Sequence, residues 1–271
     1  MKKSCIVGLI LLACAGISPS QEQATRRKKL LAIGEVKGYQ HDSVSHALAT
    51  LERLGRQTGL WDTYIRTDSQ LLTKKKLEAN AKNLDYFDAV FFYTTGELDM
   101  NDEQKDALLS FVRDDGKGFL GSHSATDTFY KWPQYGDLIG AYFDHHPWNQ
   151  VKVRINVEDR SFPAMRHFPE QFEAYDEMYQ FKAPYSRDKL RVLMSIDPST
   201  VDLNNPNVHR KDKDFAVTWV RDYGKGRVFY SSLGHRDEIW DRKDIETMWI
   251  EAVKWAMGMT QGNATPKSKS D

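Results

Sequence analysis

The chain has 271 residues, enough for one large domain or two small ones, and this length excludes a small disulfide scaffold. Its 38 basic side chains balance 38 acidic ones, and without Lys2 and Lys3 the count is 36 against 38. This balance excludes the basic footprint of a nucleic-acid-binding protein. Hydrophobic residues make up 40% and charged residues 28%, proportions that exclude global disorder and allow the chain to bury a core.

Residues 1–20 have the pattern of a signal peptide. Two lysines precede an apolar run over residues 6–12, which is too short to cross a bilayer, and small residues follow. We predict cleavage after Ser20. Cleavage before Cys14 with lipid attached there, and an uncleaved interfacial anchor, are the alternatives. Either cleavage predicts an exported protein that is periplasmic or lipid-anchored at the bacterial cell envelope.

Both cysteines of the chain, Cys5 and Cys14, lie in this leader. The mature chain is therefore predicted to have no disulfide, and no thiol other than a lipidated one. Catalysis by a thiolate is excluded on this basis.

The first half of the remaining chain alternates between short apolar strands and amphipathic helices. In chain order we predict a strand over residues 29–36, a helix beginning at Asp42 or Ser43, a strand over 63–66, a polar helix capped by Asp68 or Ser69, a strand over 89–93, a helix from Asn101 through Val112 with Gln104 completing a capping box, and a strand over 118–120. This alternation is typical of βαβ units around an open, mainly parallel sheet.

The second half is richer in strands. We predict strands over residues 151–157 and 191–196, a hairpin of strands 215–221 and 227–231, and a closing helix over 244–257. Residues 259–271 are predicted to be a disordered tail. No linker clearly divides the chain.

Histidine, acidic and hydroxyl residues follow several predicted strands. They are Tyr39, His41 and Ser43 after the first strand, Glu97 after strand 89–93, the motif GSHSATD at 121–127, and His235, Arg236 and Asp237 after the last strand. Ligands of open α/β sheets bind beyond the carboxyl ends of the strands. We therefore expect these residues to line one common crevice.

The motif at residues 121–127 has the outline of a nucleophile elbow with His123 at its centre. Imidazole at this position argues against an acyl-enzyme. Ser122 or Ser124 with His235 as base is the alternative, an esterase, although the order of elbow and base is not the usual one.

Two later segments add further candidates. His145 and His146 are adjacent on a predicted loop, and Asp176 is followed by Glu177. Histidine suits both metal binding and acid–base catalysis near neutral pH. Adjacent histidines usually point in different directions, so at most one of the pair is expected to serve a site. The chain has no HExxH spacing, so spacing alone does not define a metal site.

Aromatic residues flank these motifs, among them Trp148 and Tyr179. Such rings stack on the apolar face of a sugar, and their N–H and O–H groups bond its hydroxyls. Packing in the core is the alternative, which we expect for about half of them.

Several motifs in this order resemble the trehalose-utilisation (ThuA-like) family. They are GSHSATD at 121–127, GAYF at 140–143 with HP at 146–147, DEMY at 176–179, AVTW at 216–219, GKGRVFY at 224–230 and GHR at 234–236. The resemblance extends from Leu30 to Met257 and implies one ThuA-like domain over residues 29–258.

This resemblance implies an α/β fold of the flavodoxin-like, class I glutamine amidotransferase-like type: a three-layer sandwich with a mainly parallel central sheet. In those relatives a cysteine occupies the position of His123, and a His-x-Glu pair follows the last strand. Here His235 and Asp237 retain a His-x-acid pair, but glutamine hydrolysis is lost without the cysteine. Phe162 departs from the family, since many relatives are expected to carry histidine there.

The family's link to carbohydrate catabolism, notably of disaccharides processed through 3-keto sugars, implies an exported enzyme that acts on a glycoside or a 3-keto-glycoside. The expected catalytic residues are His123, Glu177 and His235, with Glu177 or His235 as base and Asp237 orienting His235. The expected ligands of a divalent metal ion, zinc or similar, are His41, His123 and His146. Without a metal, the same imidazoles would stabilise an enolate as hydrogen-bond donors.

The remaining expectations concern ligands and partners. The expected substrate-binding residues are Tyr39, Ser43, Glu97, Ser124, Asp127, Trp148, Tyr179 and Arg236. The partner is a small carbohydrate; no nucleotide cofactor and no nucleic acid are expected, membrane contact would come only through a lipid anchor, and a homo-oligomer is left open. The alternative from another class is a non-catalytic carbohydrate-binding or accessory protein.

Overall fold

The computed structural model describes residues 26–79 and 82–268. The predicted leader over residues 1–20 lies outside the described residues, as do the last three residues of the predicted tail. Among the described residues, no helix combines the length and the apolar character needed to cross a membrane.

Strands and helices alternate along most of the chain. The strands are β1 (Lys28–Ile33), β2 (Trp61–Arg66), β3 (Ala89–Phe92), β4 (Gly118–Ser122), β5 (Tyr142–His145), β6 (Gln150–Val157), β7 (Gln171–Glu177), β8 (Gln180–Lys182), β9 (Arg191–Ile196), β10 (Ala216–Tyr223) and β11 (Gly226–Ser231). The α-helices are α1 (Ser43–Thr58), α2 (Asp102–Arg113), α3 (Pro133–Ile139), α4 (Asp237–Trp240) and α5 (Lys243–Ala256).

Nine strands form one sheet in the order β2-β1-β3-β4-β11-β10-β9-β6-β7. The five strands from β2 to β11 pair in parallel, and the remaining four extend the sheet through antiparallel pairs. Strands β5 and β8 form a separate antiparallel pair. The flavodoxin-like α/β architecture is thereby confirmed. The parallel half of the sheet supplies most of the strand ends that carry the site described below.

The central strands are buried on both faces because their side chains alternate between two helical layers. Leu30 of β1 belongs to the same core cluster as Leu48 of α1 and Trp249 of α5. Its neighbour Leu31 belongs to the opposite cluster with Leu108 of α2. This period of two on a sheet covered on both sides produces the three-layer sandwich.

The polar helix predicted after Asp68 or Ser69 is wrong for the described residues of that segment, which form turns. Ser69 donates a hydrogen bond to the buried Glu35 carboxylate instead of capping a helix. The next two residues, Leu71 and Leu72, are both fully buried. A solvated helix cannot bury two successive side chains in this way, so tertiary packing overrides the local pattern.

The structure differs from the predicted disordered tail over part of residues 259–271. Residues 259–268 form no helix or strand, but Ala264 is only 4% exposed. The carbonyl oxygens of Gly262 and Thr265 accept hydrogen bonds from Trp255 and Arg191. The polar composition of this segment predicted fraying. That prediction could not take account of Arg191, a hydrogen-bond partner that lies far away in the sequence.

Candidate active site

The candidate site lies at the edge of the sheet where several strands end. His41 follows β1, His123 follows β4, and His235 follows β11, three strands of the parallel half. Glu177 is the last residue of β7, which runs in the same direction as β11 because four antiparallel pairings separate them. The carboxyl ends of all four strands therefore meet at one edge, as expected for a ligand site of this fold.

Four side chains from these ends form a compact cluster. His41, His123, Glu177 and His235 each offer one ligand atom, and these atoms all lie within 4.8 Å of one another. Nε2 of His123 is 3.4 Å from Oε2 of Glu177 and 3.3 Å from Nδ1 of His235. The same His235 nitrogen is 3.2 Å from Oε2 of Glu177. This His/Glu cluster could hold a metal ion.

His123 is fixed by its backbone and by its second ring nitrogen. It is fully buried and has φ 43°, a left-handed conformation that is uncommon for residues other than glycine. Its Nδ1 lies 2.7 Å from the carbonyl oxygen of Ser232, which can only accept, so Nδ1 carries the proton. Nε2 is left as the acceptor that faces the cluster, where the Tyr179 hydroxyl donates to it at 2.9 Å.

The loop that carries His235 is held on both sides of this residue. The buried Asp176 carboxylate accepts the backbone N–H of Gly234 at 2.6 Å and that of Arg236 at 3.1 Å. The Gly234 carbonyl accepts hydrogen bonds from Ser43, Tyr93 and Trp240. These buried contacts fix the position of the imidazole between them.

Burial and mutual repulsion keep the site's imidazoles from all carrying charge. Burial, followed by the neighbouring His123 and His235, lowers the pKa of His41 to about 3. Nδ1 of His41 is buried and has no hydrogen-bond partner. An imidazole held neutral with a free nitrogen is in the form that binds a metal ion.

Glu177 and His235 shift each other in opposite directions. Burial favours the neutral form of Glu177, but the neighbouring His123 and His235 imidazoles outweigh it and hold the pKa of this carboxyl well below its usual range. Burial alone would lower the pKa of His235, but the Glu177 carboxylate outweighs burial and raises it. Glu177 is therefore the anionic member of the cluster.

A cavity of about 330 Å³ opens in front of the cluster. Its lining residues are Tyr39, His41, Asp127, Phe143, His146, Glu177 and Tyr179. The walls combine aromatic rings with imidazole and carboxyl groups, so the cavity presents both apolar and polar surface to a small molecule.

Most of the predicted site residues meet here. His41, His123, Glu177 and His235 form the cluster, and Tyr39, Asp127, His146 and Tyr179 line the cavity. His146 lies beside the cluster and is not one of its four members: its Nδ1 is 3.9 Å from Oε1 of Glu177 and 2.8 Å from Oδ1 of Asn149. The cluster therefore includes Glu177 and His235, which were not predicted as metal ligands, and does not include His146, which was.

Three predicted substrate-binding residues lie inside the fold or on its outer loops. Ser43 is buried, and its hydroxyl supports the Gly234 carbonyl. Glu97 accepts the backbone N–H of Lys131. Ser124 is fully buried and Ser122 likewise, so the esterase alternative lacks a serine that a substrate can reach.

Three more predicted site residues belong neither to the cluster nor to the cavity lining: Trp148, Arg236 and Asp237. The Trp148 indole N–H donates to the carbonyl of Asp202, and the Arg236 side chain bonds Gln150 and Glu238. Asp237 is exposed and begins α4. Among the described residues no hydrogen bond joins it to His235, and the loop on either side of His235 is instead held by Asp176.

Sequence reasoning also missed two residues that shape the site. Asp176 was noted only as the neighbour of Glu177, yet an acidic residue in a buried strand must find donors, and the Gly-His-Arg loop supplies them. Phe143 lines the cavity, and its ring is tilted against that of Tyr179 with ring centroids 4.4 Å apart. Its place at the end of the GAYF motif, shortly before the two adjacent histidines, was the available signal.

Fold and site together define a class: a flavodoxin-like α/β protein in which a His/Glu cluster lies at the carboxyl ends of the strands. Within this class the chain belongs to the ThuA family, described as trehalose utilisation, whose model matches residues 29–256. That description indicates carbohydrate metabolism. No curated protein gives a significant match.

Solved structures similar to the chain include two ThuA-like proteins. One, from Bacteroides uniformis, has 22% identity and a TM-score of 0.70 and covers 89% of this chain and 95% of that one. The other, from Parabacteroides merdae, has 18% identity and a TM-score of 0.67, with coverage of 90% and 94%. A β-galactosidase from Bacillus circulans has 9% identity and a TM-score of 0.53, over 88% of this chain and 32% of its own. At these identities the likenesses show the fold alone.

Proposed function

We propose that the protein is an exported enzyme of carbohydrate catabolism that acts on a 3-keto-glycoside, or on the parent glycoside, at this His/Glu cluster. The observation that carries the proposal is the convergence of His41, His123, Glu177 and His235 in one cluster, two of whose members, His41 and Glu177, also line a cavity with aromatic walls. The family's description, trehalose utilisation, supports a carbohydrate as the substrate.

The cluster fits a divalent metal ion such as zinc. Nitrogen and oxygen ligands at about 2.0–2.1 Å from a tetrahedral ion lie roughly 3.3–3.4 Å apart. The three distances among His123, Glu177 and His235 are 3.2, 3.3 and 3.4 Å. The unpartnered Nδ1 of His41 and the Ser232 carbonyl that orients His123 are the further features that such a site needs.

A bound divalent ion would polarise a carbonyl oxygen of the substrate. The protein's own groups have the remaining tasks. A ketone at C3 acidifies the hydrogen on C2, so one base in the cavity is enough to form an enolate. With Glu177 and His235 in the cluster, we assign this base to His146. Its Nδ1 faces the amide oxygen of Asn149, which leaves Nε2 free to accept the proton.

Removal of the C2 proton leads to elimination. The enolate electrons form a double bond between C1 and C2, the ketone returns at C3, and the bond from C1 to the glycosidic oxygen breaks. The aromatic walls formed by Tyr39, Phe143 and Tyr179 would hold the ring in place during this step.

Metal analysis and turnover test the proposal together. The purified mature chain should retain about one divalent ion per molecule after dialysis, whereas His123→Ala and Glu177→Gln should lose it. His209→Ala is the matched control, because this exposed imidazole contacts Asp144 outside the cluster. Turnover of a 3-keto-glycoside should fall by about 100-fold or more in the two cluster variants and stay unchanged in the control.

The outcomes separate the alternatives. Sugar binding without turnover in the wild-type chain would contradict the enzyme and favour an accessory carbohydrate-binding protein. Turnover without retained metal, unaffected by chelators, would contradict the metal and leave the imidazoles as hydrogen-bond donors. Conversion of the parent glycoside but not of the 3-keto-glycoside would contradict the proposed C2 chemistry.

A further inference from the structure

One carboxyl group in the cavity is not used by the cluster. Asp127 ends the 3-10 turn that begins at His123, and it lines the cavity together with Glu177 and His41. It is not a member of the His/Glu cluster. Its carboxyl group therefore stays available for a second role at the substrate.

The hydrogen bonds around Asp127 accommodate a proton on its carboxyl group. The Tyr130 hydroxyl oxygen lies 2.6 Å from Oδ1 of Asp127 and 3.1 Å from the carbonyl oxygen of Phe143. One hydroxyl proton cannot fully serve two acceptors. When Asp127 is protonated, it donates to Tyr130, and Tyr130 donates to Phe143, so both contacts are complete.

The same tyrosine also suits the ionised state. Once Asp127 has lost its proton, the Tyr130 hydroxyl donates to the carboxylate instead. The charged neighbours of Asp127 act in opposite directions, since the Glu177 carboxylate favours the neutral form of Asp127 while the Lys182 ammonium favours the anion. Burial, the largest influence, raises the pKa of the Asp127 carboxyl, and the hydrogen bond from Tyr130 acts against it.

We propose that Asp127 is the general acid that protonates the departing glycosidic oxygen, with Tyr130 as its positioning residue. The inference rests on the proposed function, because it assigns a group to the elimination step of a 3-keto-glycoside. As the bond from C1 to oxygen breaks, its electron pair goes to the leaving oxygen, which takes the proton of Asp127. His146 then holds the C2 proton, and return of that proton to the Asp127 carboxylate through water restores the starting state.

The test compares two leaving groups in the metal-loaded full mature chain. A 4-nitrophenyl 3-keto-glucoside loses a stabilised phenolate that needs no proton, whereas a methyl 3-keto-glucoside must lose an alkoxide. In Asp127→Asn, kcat/KM should fall by about 100-fold or more for the methyl substrate and by less than about tenfold for the nitrophenyl one. Tyr130→Phe should show the same selectivity with smaller losses.

Two further measurements separate a catalytic role from a structural one. Exchange of the C2 hydrogen in deuterium oxide needs only the base, so Asp127→Asn should retain it on the methyl substrate while elimination is lost. Asp106→Asn, which changes an exposed carboxyl on α2, is the matched control and should leave both substrates unaffected. Metal content should equal that of the wild type in every variant.

Equal losses on both substrates, or loss of C2 exchange, would overturn the assignment of Asp127. Failure of the wild-type chain to convert either 3-keto-glycoside would contradict the proposed function itself. The two failures are therefore distinguishable.

Discussion

A single residue, His123, occupies the corner that follows β4. His123 keeps the left-handed backbone of an elbow, with φ 43°, at the corner after β4. Its imidazole is fully buried and bonded to the Ser232 carbonyl, so it offers one fixed lone pair to the cluster and no exposed nucleophile.

At the same scale, the antiparallel half of the molecule is held by a buried ionic network. Arg187 bonds Glu158 and Asp214 at 2.7 Å each, and the Tyr185 hydroxyl donates to Asp214 at 2.6 Å. Burial alone would raise the pKa of Asp214, but the hydrogen bonds from Arg187 and Tyr185 outweigh burial and lower it. The ionised carboxylate is therefore the form that stabilises the fold.

This lowered pKa predicts a loss of stability in acid. A carboxyl whose folded pKa lies below its unfolded value of about 4 stabilises the protein above that pH and stops doing so as the pH falls. At pH 7, Asp214→Asn should lower the free energy of unfolding by about 1.5–3 kcal/mol. The difference in free energy of unfolding between wild type and variant, measured by urea unfolding, should become smaller below about pH 4. A difference that stays constant would contradict the role of ionisation, and Asp188→Asn is the exposed control.

At the scale of elements, the sequence predicted those whose stabilising contacts are local. The helix from Asn101 was recognised by its capping box, and the structure has both of its hydrogen bonds to Gln104. The hairpin of β10 and β11 was recognised by the glycines around its turn. By contrast, pairing of β5 with β8 joins Tyr142 to Lys182 across 40 residues, and no local pattern could indicate it.

The C-terminal segment is another element whose contacts are distant. Arg227 donates to the carbonyl of Thr260 at 2.9 Å, and Trp255 donates to Gly262 at 3.2 Å. Truncation after Gly258 should therefore lower the free energy of unfolding by about 1–3 kcal/mol, the net value of a few hydrogen bonds. Chemical unfolding of the truncated chain measures this.

A shorter truncation supplies the control for this segment. Removal of residues 269–271 alone deletes none of these contacts and should leave the unfolding midpoint unchanged. Turnover should survive both truncations, because Arg227 lies at the start of β11 and the cavity lies beyond its end. Equal midpoints for the two truncated chains would support the disordered tail expected from composition.

At the scale of the whole molecule, the site was predictable as a location but not as a set of roles. The rule that strand ends share one edge correctly brought His41, His123 and His235 together from distant parts of the chain. The rule could not distinguish His146 from Glu177 as cluster members, since that choice depends on how β7 is placed beside the parallel half. Membership of the cluster thus depends on the order of the strands in the sheet, which the composition of the chain does not reveal.

The last prediction concerns export of the whole chain. Expression of the full-length protein in a bacterial host should yield a mature form that begins at Gln21, found by intact mass in the soluble envelope fraction. A form that begins at Cys14 and carries lipid would contradict cleavage after Ser20, and a full-length mass would contradict cleavage altogether. Cys14→Ser separates the two cleavages, because it should leave the predicted form unchanged and abolish the lipidated one.

Cleavage after Ser20 also bears on the chemistry of the site. It would remove Cys5 and Cys14, so the predicted mature chain would carry no thiol that could oxidise in an envelope compartment or compete for a metal ion. A cluster of imidazole and carboxylate groups does not depend on the redox state of its surroundings. Metal content of the exported form should therefore be the same whether it is purified with or without a reducing agent.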